Sequence, residues 1–159
     1  MNSDLEIKKR IASEWFQFLQ YRICEEFEEM ETKKSKGQRS YFLKKTSWKK
    51  SKNPEEGGGT YAVIKNGAIF DSVGINFSEV SGKFQKKFRS QILGAEKNSN
   101  YWASGISVVA HMRNPKIPAM HFNTRFIVTS KNWFGGGMDA TPSIKDDKEK
   151  KFFHKKIKK

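Results

Sequence analysis

The sequence predicts an α+β fold in which an antiparallel β-sheet is flanked by helices. Three observations support this: a long amphipathic segment at the start, an Asn-Gly dipeptide between two apolar runs, and two later apolar runs separated by a proline-containing loop. A helix followed by several strands joined by turns is typical of this fold class. The chain has 159 residues, the size of one domain, and we assign residues 1–159 to a single domain.

The first predicted element is a long helix. Ser3 and Glu6 have the spacing of a capping box, which starts a helix. Apolar residues then recur at steps of three and four: Ile7, Ile11, Trp15, Phe18, Leu19, Ile23, Phe27 and Met30. We expect this stripe to be the face that packs into the core, with Glu25, Glu26 and Glu29 on the solvated side.

Residues 32–52 form a basic segment with nine Lys or Arg and no acid. The segment lacks an apolar period and ends in Asn53-Pro54, so we interpret it as a solvated loop region or ragged edge. A second basic run, 145–159, has a net charge of +5, and the two runs together account for the chain's +14.

Two interpretations of this charge remain open. Only six of the 31 bases are Arg, and Lys-rich surfaces also follow from an AT-rich genome. The alternative is a single-stranded nucleic-acid binder that uses Tyr41, Phe42 and Trp48 as stacking faces. We favour the first interpretation and do not expect nucleic acid as a partner.

The predicted sheet begins with a hairpin. Thr60–Lys65 and Ala68–Val73 are apolar runs joined by Asn66-Gly67, and both turn positions are expected to need a positive φ. Gly74–Ser78 extends the second strand, whereas 81–100 is polar and allows one or two helical turns.

Two further strands are predicted around Pro115 and Pro118, which cannot donate to a sheet ladder. Antiparallel pairing is the natural arrangement for the flanking runs 106–111 and 119–130. Thr141-Pro142 precedes a last segment that has a helical pattern.

The alternation of side chains along these two strands predicts a candidate site. Ser107 and His111 share one face of the first strand, and His121, Asn123 and Arg125 share one face of the second. If the strands pair, the five residues line one patch that offers a cation, neutral hydrogen-bonding groups and two imidazoles. The competing interpretation is that both histidines are ordinary structural residues. A three-histidine metal site with His154 has no supporting short spacing.

Composition excludes several classes of protein. Cys24 is the only cysteine, which excludes an internal disulfide and fits a reducing, cytoplasmic location; we interpret it as a packing residue. No window approaches the ~18 apolar residues of a membrane span. The opening residues lack the apolar core of a secretory signal.

Five motifs resemble those of the aerobic coproporphyrinogen-III oxidases, and they occur in the same order. They are GINFSEV at 74–80, SGISVVAH at 104–111, RNPKIP at 113–118, HFNTRF at 121–126 and WFGGGMDATP at 133–142. The resemblance implies an antiparallel sheet flanked by helices. It also implies oxidative decarboxylation of two propionates of coproporphyrinogen-III to vinyl groups, with O2 as co-substrate and no organic cofactor.

The resemblance also implies roles for single residues. His121 matches the proton donor, and Ser107 with Asn123, Thr124 and Arg125 matches the substrate-binding positions. Histidines proposed to bind a divalent metal in bacterial members match three residues here: His111, His121 and His154.

This chain departs from the family in sequence and in length. Met112 replaces a proline and Ala140 replaces a leucine of the family motifs. Family members continue well past the segment around His154, and that further half carries the homodimer contacts. We therefore expect an incomplete domain with impaired activity. Alternatively, the chain is a non-catalytic remnant or a subunit that a second chain complements.

Overall fold

The computed structural model describes residues 3–36, 44–96, 98–145 and 147–158. They form two α-helices, six β-strands and two short 3-10 turns at Pro54–Glu56 and Lys86–Gln91. The helices are α1, Ser3–Lys34, and α2, Asp147–Ile157. The strands are β1, Thr46–Lys49; β2, Gly57–Lys65; β3, Phe70–Lys83; β4, Asn100–Met112; β5, Ala119–Val128; and β6, Asn132–Thr141.

The strands of the described chain form one sheet in sequence order, β1-β2-β3-β4-β5-β6, and every neighbouring pair is antiparallel. This confirms the predicted α+β class. Helix α1 packs across β3 and β4. The core between them consists of apolar side chains on one sheet face, among them Ile64, Phe70, Val73, Ile75, Phe77, Ile106, Val108 and Phe126.

The face that α1 buries overlaps only in part with the predicted stripe, of which Phe27 is buried and Leu19 and Ile23 pack against the core. Ile11, Trp15 and Phe18 are more than half exposed, at 57%, 53% and 52%. The sheet instead buries a face of mixed polarity: Ala12, Ser13, Phe16, Gln20, Cys24, Phe27 and Glu31. The hydropathy pattern does not predict this face because its polar side chains form hydrogen bonds with the sheet. These bonds offset the free-energy cost of burying polar groups.

Gln20 shows how a polar residue of α1 is accommodated. Its side-chain amide donates to the carbonyl oxygens of Thr60 (2.9 Å) and Ile75 (3.2 Å), and its Oε1 accepts from the Thr60 hydroxyl. Gln20 therefore ties the middle of the helix to both strands of the first hairpin.

The predicted hairpin is present, but its turn differs from the expectation. Asn66 has a positive φ of 54°, whereas Gly67 does not. Gly67 is needed for another reason, because a Cβ there would lie 2.3 Å from the carboxylate of Glu31. That fully buried carboxylate accepts backbone N–H groups from Ala68, Ile69 and Phe70.

Cys24 packs as expected, whereas the basic segment is only partly a loop, since its residues 32–34 end α1. Cys24 is buried, and desolvation raises the pKa of its thiol to about 11, which agrees with a packing role. Within 32–52, Thr46–Lys49 forms a short edge strand, and the lysines at 44, 45, 49, 50 and 52 are exposed. Tyr41 and Phe42 lie outside the described residues. No helix in the described ranges is long and apolar enough to cross a membrane.

Candidate functional site

The pairing of β4 with β5 brings the predicted site residues together. Ser107 lies opposite Asn123, Val109 opposite His121, and Gly105 opposite Arg125. Directly opposed residues of an antiparallel pair project to the same face. Because Ile106, Val108 and Ala110 are buried against α1, these side chains project from the opposite face, which we call the open face.

Ser107, Asn123 and Arg125 line one cavity of about 340 Å³ on the open face. Arg125 Nη2 donates to Asn123 Oδ1 at 2.6 Å, which holds the guanidinium beside the amide. Phe84 and Tyr101 form a wall of the same cavity, with stacked rings whose centroids are 4.5 Å apart. A cation with neutral donors beside an aromatic wall suits a carboxylate carried on an apolar ring.

His121 lies in a neighbouring cavity of about 770 Å³, whose walls combine apolar side chains with Asp139, His154 and several charged residues of the segment 145–156. Its Nδ1 is 2.9 Å from Asp139 Oδ1. The hydrogen bond from His121 is the main cause of a lowered pKa of Asp139, with a further contribution from Thr141. The two side chains are 45% and 58% exposed, so the pair is accessible to a ligand.

Sequence reasoning missed Asp139 as a site residue. The residue belongs to the glycine-rich motif of β6, and the motif gave no indication of which histidine it meets. The register supplies that information, because His121 lies directly opposite Asp139. A carboxylate on one imidazole nitrogen leaves the other nitrogen to face a substrate.

The three histidines predicted as metal ligands do not form a compact cluster. The rings of His111 and His121 are 6.1 Å apart in an edge-on arrangement. His154 lies on α2 and lines the cavity of His121. Within 3–36, 44–96, 98–145 and 147–158, no group of three His, Cys, Asp or Glu side chains is arranged to hold a metal ion. Metal binding by the three histidines therefore stays a prediction, and we derive no step through a metal.

Thr124 is placed differently from its neighbours. Its register partners are Ile106 and Gly136, so the alternation directs its side chain to the α1 side, although the residue borders the cavity of Arg125. On the open face, Asn76 lies opposite Ser107 and accepts a hydrogen bond from Trp48 Nε1 at 2.9 Å. Asn76 and Trp48 thus extend the polar surface beyond the residues that the sequence singled out.

Glycines make part of the open face flat. Neighbouring strands align one row of residues across the sheet: Gly59, Ser78, Gly105, Arg125 and Gly135. A side chain at Gly105 would collide with the backbone of β5, since its Cβ would lie 2.5 Å from Thr124 O. The row therefore presents backbone and small side chains beside one guanidinium, which leaves room for a flat ligand.

Taken together, the fold and site define an α+β protein with a flat polar sheet face that can bind a carboxylate and move a proton at an imidazole. The family model described as coproporphyrinogen III oxidase matches residues 11–159. The chain therefore belongs to the coproporphyrinogen III oxidase family.

Individual relatives agree with this assignment. The oxygen-dependent coproporphyrinogen-III oxidases of Rickettsia typhi and Rickettsia prowazekii are each 48% identical to the chain over 149 residues. The corresponding protein of Rickettsia bellii is 46% identical over 148 residues. Each comparison covers 92% of this chain and 52% of the relative. The chain thus spans about half the length of the curated relatives it matches.

Proposed function

We propose that this chain supplies the substrate-binding and proton-donating face of an oxygen-dependent coproporphyrinogen-III oxidase in porphyrin biosynthesis, located in the cytoplasm. The observation that carries the proposal is one sheet face that combines the Arg125–Asn123 pair, the His121–Asp139 pair and the flat row around Gly105. A tetrapyrrole with four carboxylates needs such a combination of cations and flat surface.

The reaction requires the protein to bind the substrate and to donate a proton. At each of two propionates, the C–C bond to the carboxylate breaks and releases CO2. The neighbouring carbon gives up a hydrogen, so the arm becomes a vinyl group. One O2 per arm accepts the two electrons and the proton of that hydrogen, takes up a second proton delivered to the site, and becomes H2O2.

The proposal assigns a role to each residue of the site. Arg125, with Asn123 and Ser107, binds a propionate carboxylate in the smaller cavity. Because Asn123 already holds the guanidinium in place, Arg125 loses less side-chain entropy when the carboxylate binds. His121 is the proton donor, and Asp139 holds its ring in one orientation. Metal binding by His111, His121 and His154 stays a prediction and contributes no step.

We expect little or no turnover by the 159-residue chain alone, because its open face has no opposing wall in the described structure. A misplacement of about 1 Å between substrate and proton donor can cost about a hundredfold in rate. The assay is protoporphyrinogen-IX formation from coproporphyrinogen-III in air. It is run on the chain alone and on the chain co-expressed with the part of the R. typhi relative outside the match.

The outcomes separate the alternatives. Turnover only in the co-expressed pair, abolished by His121→Ala, supports a subunit that a second chain complements. Full turnover by the chain alone would show that its site is self-contained. A soluble pair without turnover or coproporphyrin-III binding would identify a non-catalytic remnant and overturn the proposed function.

A further inference from the structure

A row of hydrogen-bonding side chains crosses the middle of the open face. Asn76 of β3, Ser107 of β4 and Asn123 of β5 are register partners, so they project side by side, and we call them the central row. Arg125 lies two residues along the strand on one side of this row, and His121 two residues along on the other. A rise of about 3.4 Å per residue makes each of these steps about 7 Å. A flat ligand that reaches from Arg125 to His121 therefore lies over the central row.

Asn76 is the member of the central row for which the family resemblance implies no role. The residue is half-buried in the middle of β3. Its neighbours on the same face of the strand are Gly74 and Ser78, one without a side chain and one with a short one. The amide of Asn76 therefore reaches further from this part of β3 than the groups beside it.

Trp48 fixes the orientation of the Asn76 amide. Its Nε1 donates to Asn76 Oδ1 at 2.9 Å. An indole N–H can only donate, so the amide turns its oxygen toward Trp48 and keeps its Nδ2 for other partners. On β2, which lies between the two residues, Gly59 is opposite Trp48, so no side chain at that position blocks the indole. Asn76 thus holds two N–H groups ready for a ligand.

Asn123 is oriented in the same way at the other end of the central row. Its Oδ1 accepts from Arg125 Nη2, which leaves its own Nδ2 as a donor. The hydroxyl of Ser107 lies between the two amides. Carboxylate oxygens only accept hydrogen bonds, so a ligand with several carboxylates complements a row of donors.

We propose that Asn76 is a further substrate-binding residue, whose Nδ2 donates to a second carboxylate of the tetrapyrrole while Arg125 binds the first. The inference rests on the proposed function. The guanidinium of Arg125 is held beside Asn123, two strands and so about 10 Å from Asn76. Donors to one carboxylate lie within about 3 Å of its oxygens, so the two residues bind different arms of the substrate. Trp48 is a positioning residue that acts through Asn76.

The test is a fluorescence titration of the full 159-residue chain with two porphyrins. Coproporphyrin-III carries four carboxylate arms, and pyrroporphyrin carries one. Asn76→Ala should weaken binding of coproporphyrin-III by at least about tenfold, because a hydrogen bond to a charged group is lost. Asn76→Asp should weaken it further, since the new carboxylate repels the ligand. The single arm of pyrroporphyrin should bind to Arg125 and give equal affinities in wild type and both variants.

Trp48→Phe tests the positioning role separately. It keeps an aromatic ring on β1 but removes the N–H that orients the amide, so coproporphyrin-III should bind about threefold more weakly. In the Asn76→Ala background the same substitution should have no further effect. Thr46→Val removes a hydroxyl from an exposed residue of the same edge strand and is the matched control, which should bind normally. Circular dichroism verifies folding, and Trp48→Phe decides the question if Asn76→Ala does not fold.

Two results would overturn the inference while leaving the proposed function in place, provided that Arg125→Ala still weakens binding of both porphyrins. Unchanged coproporphyrin-III binding in Asn76→Ala and Trp48→Phe would reduce the hydrogen bond to a tether between β1 and β3. An equal loss for both porphyrins would show that the substitutions act through the fold. A wild-type chain that binds neither porphyrin would contradict the inference and the proposed function together.

Discussion

At the scale of single residues, the site depends on partners that only the strand register brings together. His121 and Asp139 are 18 positions apart in sequence but directly opposite each other on β5 and β6. The smaller cavity likewise joins Arg125 and Ser107 with Phe84, which lies outside both site strands. Each of these contacts places a charge or a ring on the open face, and each can be changed separately.

The first prediction concerns the titration of Asp139. The hydrogen bond from His121 favours the ionised carboxylate and so lowers the pKa of Asp139. The pair is therefore maintained above this lowered pKa and is lost as the pH falls through it. His121→Ala should raise the pKa of Asp139 toward its ordinary value, as measured by carboxylate ¹³C chemical shifts. Thr141→Val should raise it less, and an unchanged titration in His121→Ala would show that the pair is not formed in solution.

The second prediction compares two adjacent glycines of β6. A Cβ at Gly137 meets no atom within 4 Å, whereas one at Gly136 would lie 2.4 Å from Asn123 O. Gly137→Val should therefore fold normally but place a branched side chain beside Asn123 on the open face. We expect it to weaken coproporphyrin-III binding by about tenfold in a fluorescence titration.

Gly136→Val is the matched comparison at the neighbouring glycine, and the quantity measured for it is the free energy of unfolding. Its side chain projects to the α1 side and forces the backbone of β5 to move, so it should lose stability, by about 1–3 kcal/mol. If Gly137→Val bound the porphyrin as tightly as wild type, the ligand would not lie over this part of the sheet.

At the scale of elements, α1 is fastened to the sheet by polar side chains as well as apolar ones. Gln20 anchors its middle, and Glu31 anchors its last turns. Ser13 donates to Glu79 of β3 near the first turns. These anchors fix the rotation of the helix about its axis, which determines that Phe16 is buried and Trp15 is exposed.

The third prediction addresses Glu31. Its removal leaves three backbone N–H groups of the β2–β3 turn without their acceptor in a buried position. Glu31→Ala should lower the free energy of unfolding by about 3–5 kcal/mol, and Glu31→Gln, which keeps one carbonyl oxygen, by less. Urea unfolding followed by circular dichroism measures both.

Glu29→Ala provides the control on the same helix. Glu29 is exposed and pairs with Lys33, so its loss should change the free energy of unfolding by less than about 0.5 kcal/mol. Equal effects of Glu29→Ala and Glu31→Ala would show that the turn does not depend on the buried carboxylate.

At the scale of the whole molecule, a six-stranded sheet carries one long helix on one side and an open polar face on the other. Strands β3 and β4 have neighbours on both edges and are covered by α1, whereas β1 and β6 each pair on one edge in the described chain. The protected part of the fold is therefore its centre, and the residues of the site lie between that centre and the β6 edge.

The fourth prediction is a gradient of amide hydrogen exchange across the sheet. Amides of Ile75 and Val108 should exchange most slowly, and those of Trp48 and Met138 much faster, because protection follows burial and pairing. Exchange measured by NMR on the chain alone tests this. If β6 were as protected as β4, another molecule would have to cover it.

The fold class, the long first helix and the hairpin follow from the amino-acid sequence alone, as does the shared face of the following four residues: Ser107, His121, Asn123 and Arg125. Alternation along a strand and turn residues are local properties, so a linear pattern carries them. The tertiary structure alone decided which face of α1 is buried, why Gly67 is needed, and that Asp139 meets His121. All three findings depend on contacts between residues that are distant in sequence. Hydrogen bonds of this kind offset the free-energy cost of burying Gln20 and Glu31, so the buried face of α1 differs from the face that its hydropathy pattern predicts.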